Sequence, residues 1–438
     1  MAGAAGLLIS APSSGCGKTL VSLALMRLLA RQGLDPRPAK SGPDYIDPAF
    51  HAIACGRSSL NLDVYAMRPG LIEDLADAPG GPLIVEGAMG LFDGAADGTG
   101  SAASLACQLG LPVVLVVDCA RQAQSVAALV AGFARWDPAI TIGGLILNRV
   151  GSARHADMLA RALDPVGIRI LAALPHQPEL ELPSRHLGLV QAMEHADMDG
   201  FAERAADWLE DRLDLAACLS LAGTARGPRA PVQGAARPLA PLGQRIALAQ
   251  DAAFAFAYPH LIDGWRAAGA QIIPFSPLAD APPDADADAV YLPGGYPELH
   301  AGRLAANRRF RVGMEAAAAR GCRIYGECGG YMMLGTGLVD AAGQRHAMLG
   351  LLPLETSFAA RRRHLGYRKA RRLGDVLPWG PCVMAHEFHY ASILSEGADG
   401  TPPLFAAQDA QGQDLGPMGL QRDRIAGSFL HVIDEARA

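Results

Sequence analysis

A glycine-rich segment close to the start of the chain, APSSGCGKT, does most to limit what this sequence can fold into. A short apolar run (Leu7–Ile9) precedes it and a helical pattern (Thr19–Gln32) follows it, which is the strand, loop and helix order of a phosphate-binding loop. Backbone N–H groups of such a loop converge on phosphate oxygens, while Lys18 reaches the β- and γ-phosphates and the Thr19 hydroxyl ligates Mg²⁺. Pro12 stands where the usual motif has its first glycine. The predicted ATP-binding residues of the loop are Ser13, Gly15, Cys16, Gly17, Lys18 and Thr19.

The rest of the chain alternates short apolar runs with helical patterns, and the alternation restarts after a stretch rich in Pro, Gly and Ala. Short buried strands that alternate with helices are typical of a parallel sheet with helices on both faces. We therefore predict two doubly wound α/β domains, a P-loop NTPase-like domain over residues 1–222 and a flavodoxin-like domain over residues 244–438, joined by a linker over residues 223–243. The predicted strands are Leu7–Ile9, Leu83–Val85, Val113–Val117 and Gly144–Leu147 before the linker, and Arg245–Ala249, Gln271–Phe275, Ala289–Leu292 and Arg323–Tyr325 after it.

Composition and charge exclude several other classes of protein. The chain has 38 Lys and Arg residues against 44 Asp and Glu, and the net charge of −6 argues against a general nucleic-acid binder. The longest apolar runs, such as Leu111–Val117, are far shorter than the roughly 18 residues of a membrane span. Eight cysteines are scattered singly with no CxxC pair, which favours a cytoplasmic location. We therefore expect small molecules as partners, without nucleic acid or membrane, and a homodimer remains open.

Acidic side chains follow the predicted strands at the sheet edge where doubly wound proteins bind ligands. The segment KSGPDYIDP (residues 40–48) contains Asp44 and Asp47, and an ordinary turn is the alternative explanation because Asp beside Gly or Pro is common in turns. Glu86 ends the buried strand LIVE, where an unpaired carboxylate is costly, so we predict that it is a Mg²⁺ partner. Two further carboxylates stand in the loop that follows, Asp93 and Asp97, and both are predicted substrate-binding residues.

A second motif, RIYGECGGYMML (residues 323–334), predicts a strand, a sharp glycine-bounded turn and a helix. This elbow exposes a nucleophile above a sheet, so Cys328 is the predicted nucleophile and the N–H of Gly329 a predicted oxyanion donor. The helix N-terminus is expected to lower the pKa of the thiol and to make thiolate available near neutral pH. Upstream, the turn LPGGYPE offers Gly294 or Gly295 as the second oxyanion donor, although a plain turn between strand and helix would give the same pattern.

The base that activates this thiol is predicted to be His431, at the end of the apolar segment GSFL. The pair of Cys and His resembles the site of the triad-type class I glutamine amidotransferases. That class usually has a Glu two residues after the histidine, but Ile433 occupies the position here, with Asp434 and Glu435 beyond it. We therefore predict a Cys and His pair without an assigned third member. Two histidines of the segment HEFHY are alternatives for the base, for packing or for substrate contacts, His386 and His389.

A basic run stands out in this acidic protein, and it comprises Arg361, Arg362, Arg363, His364, Arg368, Lys369, Arg371 and Arg372. Such a run is often no more than a solvated face. The functional explanation is attraction of a polycarboxylate, because arginine side chains grip carboxylates bidentately. The predicted substrate-binding residues of the run are Arg361, Arg362 and Arg363.

Taken together, these segments resemble one family. The phosphate loop and KSGPDYIDP, with NLD (61–63), VEGAMGLFDG (85–94) and LNRV (147–150), are similar to the dethiobiotin-synthetase-like ATP fold and, more narrowly, to the cobyrinic or hydrogenobyrinic acid a,c-diamide synthase family. Three later segments resemble further motifs of that family, ELPSRHLGLV (181–190), LPLETSFAARRRHLGYR (352–368) and HEFHY (386–390). The resemblance implies that Asn148 contacts adenine. It also implies a metal, nucleotide or substrate role for Asp44, Tyr45, Asp47, Glu86 and Asp93, with Thr19, Asp47 and Glu86 as the metal-binding set.

The resemblance also implies a reaction. The family uses ATP and Mg²⁺ to activate corrin acetate carboxylates and uses ammonia from glutamine to amidate them. The expected protein is therefore a glutamine-hydrolysing carbon–nitrogen ligase of cobalamin biosynthesis, with a corrinoid polycarboxylate, L-glutamine and ATP as substrates and acyl phosphates as intermediates. Three alternatives remain. The first is a sister amidotransferase that acts on another tetrapyrrole or, as a cobyric acid amidotransferase, on the remaining corrin carboxylates. The others are a deviant-Walker ATPase switch without amidation activity and a binding module that has lost its activity.

Overall fold

The computed structural model describes residues 5–181, 184–185, 188–189, 191–195, 197–225 and 238–436, with the backbone alone at 184–185, 188–189 and 193. The chain forms two compact units. The first comprises Met1–Tyr65 and Pro69–Ala236, and the second comprises Ala66–Arg68 and Arg237–Ala438. Among the described helices, none is long and apolar enough to cross a membrane. Most of the segment 181–190 and the centre of the predicted linker, residues 226–237, lie outside the described residues.

The first unit contains nine strands and eight α-helices within the described part of the chain. In chain order they are β1 (Gly6–Ser10), α1 (Lys18–Arg31), β2 (Arg37–Ser41), α2 (Asp47–Cys55), β3 (Leu60–Leu62), α3 (Pro69–Ala76), β4 (Leu83–Glu86), α4 (Ala102–Leu109), β5 (Val113–Asp118), α5 (Val126–Trp136), β6 (Ile142–Val150), α6 (Ala153–Leu163), β7 (Ile170–Pro175), β8 (Ser184–Arg185), β9 (Gly188–Leu189), α7 (Met198–Glu210) and α8 (Leu215–Ala222).

Seven of these strands form one sheet in the order β3-β2-β4-β1-β5-β6-β7, and every pairing in it is parallel. All five residues of β1 are buried, as are the first five of β5, because helices cover both faces. The carboxyl ends of parallel strands share one edge of the sheet. The loop after β1, the loop after β2 and the last residue of β4 therefore lie along the same edge.

Helix α1 carries the phosphate loop at its start and packs into the core of the first unit. Eight of its residues from Val21 to Leu29 are buried, and helix α7 contributes Ala202, Ala205 and Leu209 to the same core. At the rim, Arg31 donates to Asp207 and Glu210 on α7, at 2.5 and 2.8 Å. Apolar burial therefore sets the position of α1, while exposed ion pairs of this kind contribute little.

The second unit contains fourteen strands and four α-helices within the described residues. They are β10 (Arg245–Ala249), α9 (Pro259–Ala267), β11 (Gln271–Phe275), β12 (Ala289–Leu292), α10 (Ala301–Ala306), α11 (Arg308–Ala319), β13 (Arg323–Glu327), α12 (Gly329–Leu334), β14 (Gly337–Val339), β15 (Arg345–Ala347), β16 (Leu354–Ser357), β17 (His364–Arg372), β18 (Cys382–His389), β19 (Ser392–Glu396), β20 (Pro403–Gln408), β21 (Asp414–Arg422), β22 (Ile425–Ser428) and β23 (Leu430–Glu435).

Ten of these strands form one sheet in the order β11-β10-β12-β13-β22-β21-β20-β17-β18-β23. The first five are parallel, and β21, β20, β17, β18 and β23 extend the sheet in antiparallel fashion. Four other strands of the second unit form a separate sheet in the order β15-β14-β16-β19. The predicted α/β fold class is confirmed, but the sequence patterns did not predict that the last 100 or so residues add hairpins in place of further helices.

We predict that truncating the buried face of α1 destabilises the first unit. Leu28 is fully buried, so Leu28→Ala should lower the free energy of unfolding by about 2–5 kcal/mol, because the deleted methyl groups leave a cavity. Leu20→Ala on the same helix is the control and should cost less, because Leu20 is half-exposed. Thermal and urea unfolding of the full chain measure both effects. An equal loss in the two variants would contradict this packing.

Candidate active sites

The phosphate loop lies between β1 and α1, and its geometry depends on a close contact with Asn148. Gly17 has a φ of 94°, and a Cβ at that position would lie 2.2 Å from Nδ2 of Asn148, so only glycine fits. The same Nδ2 donates a hydrogen bond to the carbonyl of Cys16 at 2.9 Å. Asn148 thus supports the loop from β6, and the predicted contact with adenine stays a prediction.

The lysine of the loop is folded back over it. The Nζ atom of Lys18 donates to the carbonyl of Ser13 at 3.2 Å, and the side chain is nearly buried. Burial and the neighbouring charge of Lys40 lower the pKa of Lys18. The two neighbouring ammonium groups of Lys18 and Lys40 repel each other, and an anion bound near them would relieve this repulsion. The loop therefore has the electrostatic character that a phosphate group requires.

Glu86, at the carboxyl end of β4, is the centre of a buried polar cluster. Its Oε1 atom accepts hydrogen bonds from the Thr19 hydroxyl at 2.7 Å and from the Lys40 ammonium at 3.0 Å. Its Oε2 atom lies 2.7 Å from Nε2 of His51, which in turn contacts the hydroxyl of Ser59 through Nδ1 at 3.0 Å. The Glu86 carboxylate is fully buried, and these three donors compensate for the loss of water.

The charges of the cluster are coupled. Burial alone raises the pKa of Glu86, but the charge of Lys40 and the hydrogen bonds from His51 and Thr19 outweigh it, so the pKa lies well below its ordinary value. Burial lowers the pKa of Lys40, but its acidic neighbours outweigh that effect and raise it. Burial and the nearby carboxylate of Asp44 raise the pKa of Asp47, although Asp47 accepts from Lys40 at 2.5 Å. The cluster holds more acidic groups than one lysine neutralises.

The oxygen atoms of this cluster fit a Mg²⁺ ion. Carboxylate and hydroxyl oxygens are the ligands that Mg²⁺ prefers. Thr19 Oγ1 and Glu86 Oε1 are 2.7 Å apart, close to the roughly 2.9 Å between neighbouring ligands of an octahedral ion with oxygens at 2.0–2.1 Å. Burial, followed by the carboxylate of Asp44, raises the pKa of Asp47 despite its pairing with Lys40. One cluster contains the whole predicted metal-binding set, because Thr19 and Lys40 both contact Glu86 and Lys40 also contacts Asp47.

The remaining predicted acidic residues of the first unit make local turn contacts. Asp44 accepts from the backbone N–H of Ile46 at 2.7 Å and so shapes the entry to α2, with Tyr45 half-buried beside it. Asp93 accepts from the N–H of Gly90, and Asp97 accepts from Thr99. Both of these aspartates are exposed. The hydrogen bonds described for Asp93 and Asp97 are made within their own loop and do not involve the Glu86 cluster. Substrate roles for these residues stay predictions.

The candidate nucleophile of the second unit lies between β13 and α12. The backbone of Cys328 has φ 46° and ψ −103°, a conformation that residues other than glycine rarely adopt. Its N–H donates a hydrogen bond to the carbonyl of Ser428 on β22 at 2.8 Å. The thiol is buried and lies 3.7 Å from the carbonyl of Phe388. This strained turn between strand and helix is the elbow geometry that the sequence predicts.

The protonation of the site differs from the sequence-based expectation. Burial, followed by the nearby carboxylate of Glu298, raises the pKa of the Cys328 thiol well above its ordinary value, so the expected lowering of this pKa is wrong. Helix α12 has six residues, and its N-terminal charge does not outweigh the loss of water. Burial also lowers the pKa of His431 to about 3, and the charges of His386 and His389 add to this shift. The resting pair is therefore a neutral thiol and a neutral imidazole.

Glycines bring the backbone close to both groups. A Cβ on Gly294 would lie 2.3 Å from Cε1 of His431, so the turn after β12 packs directly against the imidazole ring. A Cβ on Gly329 would lie 3.0 Å from the backbone nitrogen of Gly295. The two predicted oxyanion donors, the N–H groups of Gly329 and Gly295, are therefore neighbours at the elbow, and Gly294 is the glycine that faces the histidine.

The segment HEFHY forms the end of β18, and it flanks the site. His386 is the direct cross-strand partner of His431 on β23. Glu387 is held by Arg368 at 2.7 Å and by Nε2 of His389 at 2.9 Å, and His389 stacks on Phe429. His364, Glu387 and His389 bring ligand atoms within 4.8 Å of one another, but Arg368 already neutralises the carboxylate. This group is therefore an ion-pair network.

The acidic residues after His431 do not replace the missing Glu. Ile433 is an apolar core residue, and the buried carboxylate of Asp434 accepts from the backbone and the guanidinium of Arg68 at 2.8–3.0 Å. Glu435 accepts from the N–H of Gly380. Both carboxylates therefore have structural partners.

The basic run divides into structural and exposed members. Arg372 donates to the carbonyls of Gly374, Leu377 and Gly380, and Arg368 pairs with Glu387, so both hold the local fold. The three predicted substrate-binding arginines before β17 are exposed, Arg361, Arg362 and Arg363. Binding of a polyanion by these three stays a prediction.

Sequence reasoning missed two residues of the first unit, Lys40 and His51. Lys40 is the next-to-last residue of the buried strand β2 and is 3% exposed, and a lysine in such a position is rarely buried unless it is paired. His51 stands four residues after Asp47 and so shares a face of α2 with it. The signals were the buried position of the lysine near the end of its strand and this helical spacing.

Comparisons with known protein families match a different kind of domain in each part of the chain. Residues 7–190 match the CobQ/CobB/MinD/ParA nucleotide binding domain, and residues 245–438 match the CobB/CobQ-like glutamine amidotransferase domain. Proteins named hydrogenobyrinate a,c-diamide synthase are similar over almost the whole chain. One from Sinorhizobium sp. is 58% identical over 99% of both chains, one from Brucella suis is 57% identical over 98% of both, and one from Rhodobacter capsulatus is 50% identical over 98% of this chain and 99% of its own.

These relatives match the chain at 50–58% identity over a length that includes the phosphate loop, the Glu86 cluster and the cysteine elbow. The chain therefore belongs to the hydrogenobyrinate a,c-diamide synthase family, a family of glutamine-dependent carbon–nitrogen ligases of cobalamin biosynthesis.

Proposed function

We propose that the chain amidates the a- and c-acetate carboxylates of hydrogenobyrinic acid, with ATP as the activating substrate and L-glutamine as the source of ammonia. The observation that carries the proposal is the pairing, in one chain, of a phosphate loop joined to the buried Glu86 cluster with a strained cysteine elbow packed near His431. The names of relatives that cover almost the whole chain support the metal-free macrocycle. All eight cysteines are free thiols, which supports a cytoplasmic location.

The second unit releases ammonia. His431 takes the thiol proton, and Cys328 attacks the side-chain amide carbon of glutamine. The N–H groups of Gly329 and Gly295 stabilise the oxyanion, and its collapse with proton return from His431 expels ammonia and leaves a glutamyl thioester. Water then hydrolyses the thioester to glutamate and restores the thiol. In the free site, burial favours the neutral thiol and the neutral imidazole, so we assign the proton transfer from Cys328 to His431 to the attack step.

The first unit activates the acetate. A substrate carboxylate attacks the γ-phosphorus of ATP, ADP leaves, and an acyl phosphate forms, which ammonia converts to the amide with release of phosphate. Lys18 and the N–H groups of the loop stabilise the charge on the transferred phosphoryl group. Thr19, Asp47 and Glu86 would hold Mg²⁺, which supplies further neutralisation of phosphate charge. Lys40 and His51 keep Glu86 ionised and oriented.

The substrate is a macrocycle with many carboxylates. Arg361, Arg362 and Arg363 are exposed at the start of the β17 segment and carry charge that suits such a polyanion. Two acetates would be amidated in successive rounds.

Product mass tests the proposal directly. The purified chain is incubated with ATP, Mg²⁺, glutamine and either hydrogenobyrinic or cobyrinic acid, and the products are read by mass spectrometry. We expect a diamide from hydrogenobyrinic acid. No diamide from either macrocycle would refute the amidation, and a diamide from cobyrinic acid alone would refute the metal-free substrate.

We predict that Cys328→Ala separates the two half-reactions. Glutamine-driven amidation should fall at least about 10³-fold, because the nucleophile is lost, whereas amidation with added ammonia should stay close to the wild-type rate. ADP release and product mass measure both rates. Cys322→Ala is the matched control, since Cys322 is also buried in the second unit and its thiol contacts the backbone carbonyls of Ala287 and Arg323. Loss of both activities in Cys328→Ala would contradict the division of labour.

We predict the opposite pattern for the phosphate loop. Lys18→Met should reduce amidation about 10²-fold or more with ammonia as well as with glutamine, because charge on the transferred phosphoryl group is no longer neutralised. The control is Lys369→Met, which removes an exposed lysine. The rate of ADP formation with ammonia and substrate is the measurement. A wild-type rate for Lys18→Met would exclude the assigned role.

A further inference from the structure

Glu327 is a buried carboxyl group that the proposed mechanism does not use. It is the last residue of β13, directly before the nucleophile, and it is 1% exposed. Its Oε2 atom accepts a hydrogen bond from the Tyr291 hydroxyl at 2.8 Å, and its Oε1 atom accepts from the backbone N–H of Val432 at 3.1 Å. The Oε2 atom also lies 3.9 Å from Nδ1 of His431. One carboxyl group thus reaches both the backbone and the ring side of the candidate base.

These contacts join two elements of the site. Glu327 pairs in register with Ser428 on β22, and the next residue, Cys328, donates its N–H to the Ser428 carbonyl. The Val432 N–H belongs to β23, the strand that carries His431. The hydrogen bond from Val432 to Glu327 therefore fixes the strand of the base to the strand that ends at the nucleophile.

The surroundings of His431 call for a negative charge. When His431 takes the thiol proton, an imidazolium forms in a buried site, where burial disfavours the charged form. His386 and His389 oppose it further, and Glu387 favours it. Glu387 is shared with Arg368 and His389, and Asp434 is held by Arg68. Glu327 is the carboxyl group within 4 Å of the His431 ring among the described ion pairs.

We propose that Glu327 is a positioning residue of the glutaminase centre, which holds His431 in place through Val432 and stabilises the imidazolium that forms when His431 accepts the Cys328 proton. Nδ1–H of the imidazole then faces the carboxylate, and Nε2 takes and returns the thiol proton. The role fills the place that Ile433 leaves open. It rests on the proposed glutaminase function of Cys328 and His431.

The role has a pH dependence whose sign follows from burial. Burial raises the pKa of Glu327 to about 7, partly offset by hydrogen bonds from Val432, Tyr291 and Tyr325. The carboxylate form is present above that pH and is lost as the pH falls through it. The other titratable groups around the pair are His386, His389 and Glu387 near His431, and Tyr291 and Tyr325 near Glu327. Glutaminase turnover should therefore decline on the acid side.

Glu327→Gln in the full chain tests the proposal. Glutamine keeps an acceptor for the Val432 N–H but carries no charge. We expect kcat for glutamine hydrolysis to fall about 10²-fold or more, with KM for glutamine close to wild type, and the acid limb of the pH profile near pH 7 to disappear. Glu327→Asp keeps the charge and should retain more activity than Glu327→Gln. Amidation with added ammonia should stay unchanged in both.

Glu396→Gln is the matched control. Glu396 also accepts a tyrosine hydroxyl in the second unit, from Tyr331 at 2.7 Å, and burial raises its pKa as well. Its replacement should change thermal stability without changing the glutaminase pH profile. If thermal unfolding shows that Glu327→Gln does not fold, the pH profile of wild-type glutaminase turnover decides instead, and the absence of an acid limb near pH 7 overturns the proposal.

The outcomes separate this proposal from the one it rests on. Full glutaminase activity in Cys328→Ala would overturn the glutaminase site itself. If Cys328→Ala is inactive but Glu327→Gln keeps the wild-type kcat and pH profile, the role of Glu327 alone is overturned. The same holds if Glu327→Asp is no more active than Glu327→Gln.

Discussion

Loss of water around polar groups at the carboxyl ends of parallel strands governs both candidate sites. Glu86 ends β4 and Glu327 ends β13, and each carboxyl group is almost fully buried. A buried charge is costly unless it is paired, so each must be either compensated or neutral. In the first unit, donors keep Glu86 ionised, whereas in the second unit burial raises the pKa of Glu327 to about 7. Much of the local structure follows from this difference.

In the first unit, compensation builds an ionic site. Lys40, His51 and Thr19 come from three different elements and converge on one carboxylate. Because removal of one partner would leave a buried charge, the carboxyl end of the sheet is held as a unit. Such fixed charges suit phosphoryl transfer, where most of the catalysis is positioning and neutralisation of anionic oxygens. In the reaction proposed above, the phosphate loop and the Glu86 cluster act on one group, the transferred phosphate.

In the second unit, burial keeps the thiol and the imidazole neutral. The turn after β12 packs against the ring of His431 at Gly294, and its next residue, Gly295, lies beside Gly329, which follows the strained Cys328. A neutral thiol is less nucleophilic than a thiolate. The antiparallel extension of the sheet supplies β18 and β23, which carry HEFHY and His431 as direct cross-strand neighbours. The hairpins are thus part of the site.

The sequence by itself determined the α/β class of both units, the family, and the motifs around Lys18, Glu86 and Cys328, because strand-loop-helix order and glycine spacing are local properties. It did not determine the hairpins after residue 337, since short strands that pair only with one another carry a weak periodic signal. Only the tertiary structure showed that Lys40 and His51 hold Glu86, that Arg68 takes Asp434, and that burial raises the pKa of Cys328. Pairing and desolvation depend on residues far apart in the chain, so no local pattern contains them.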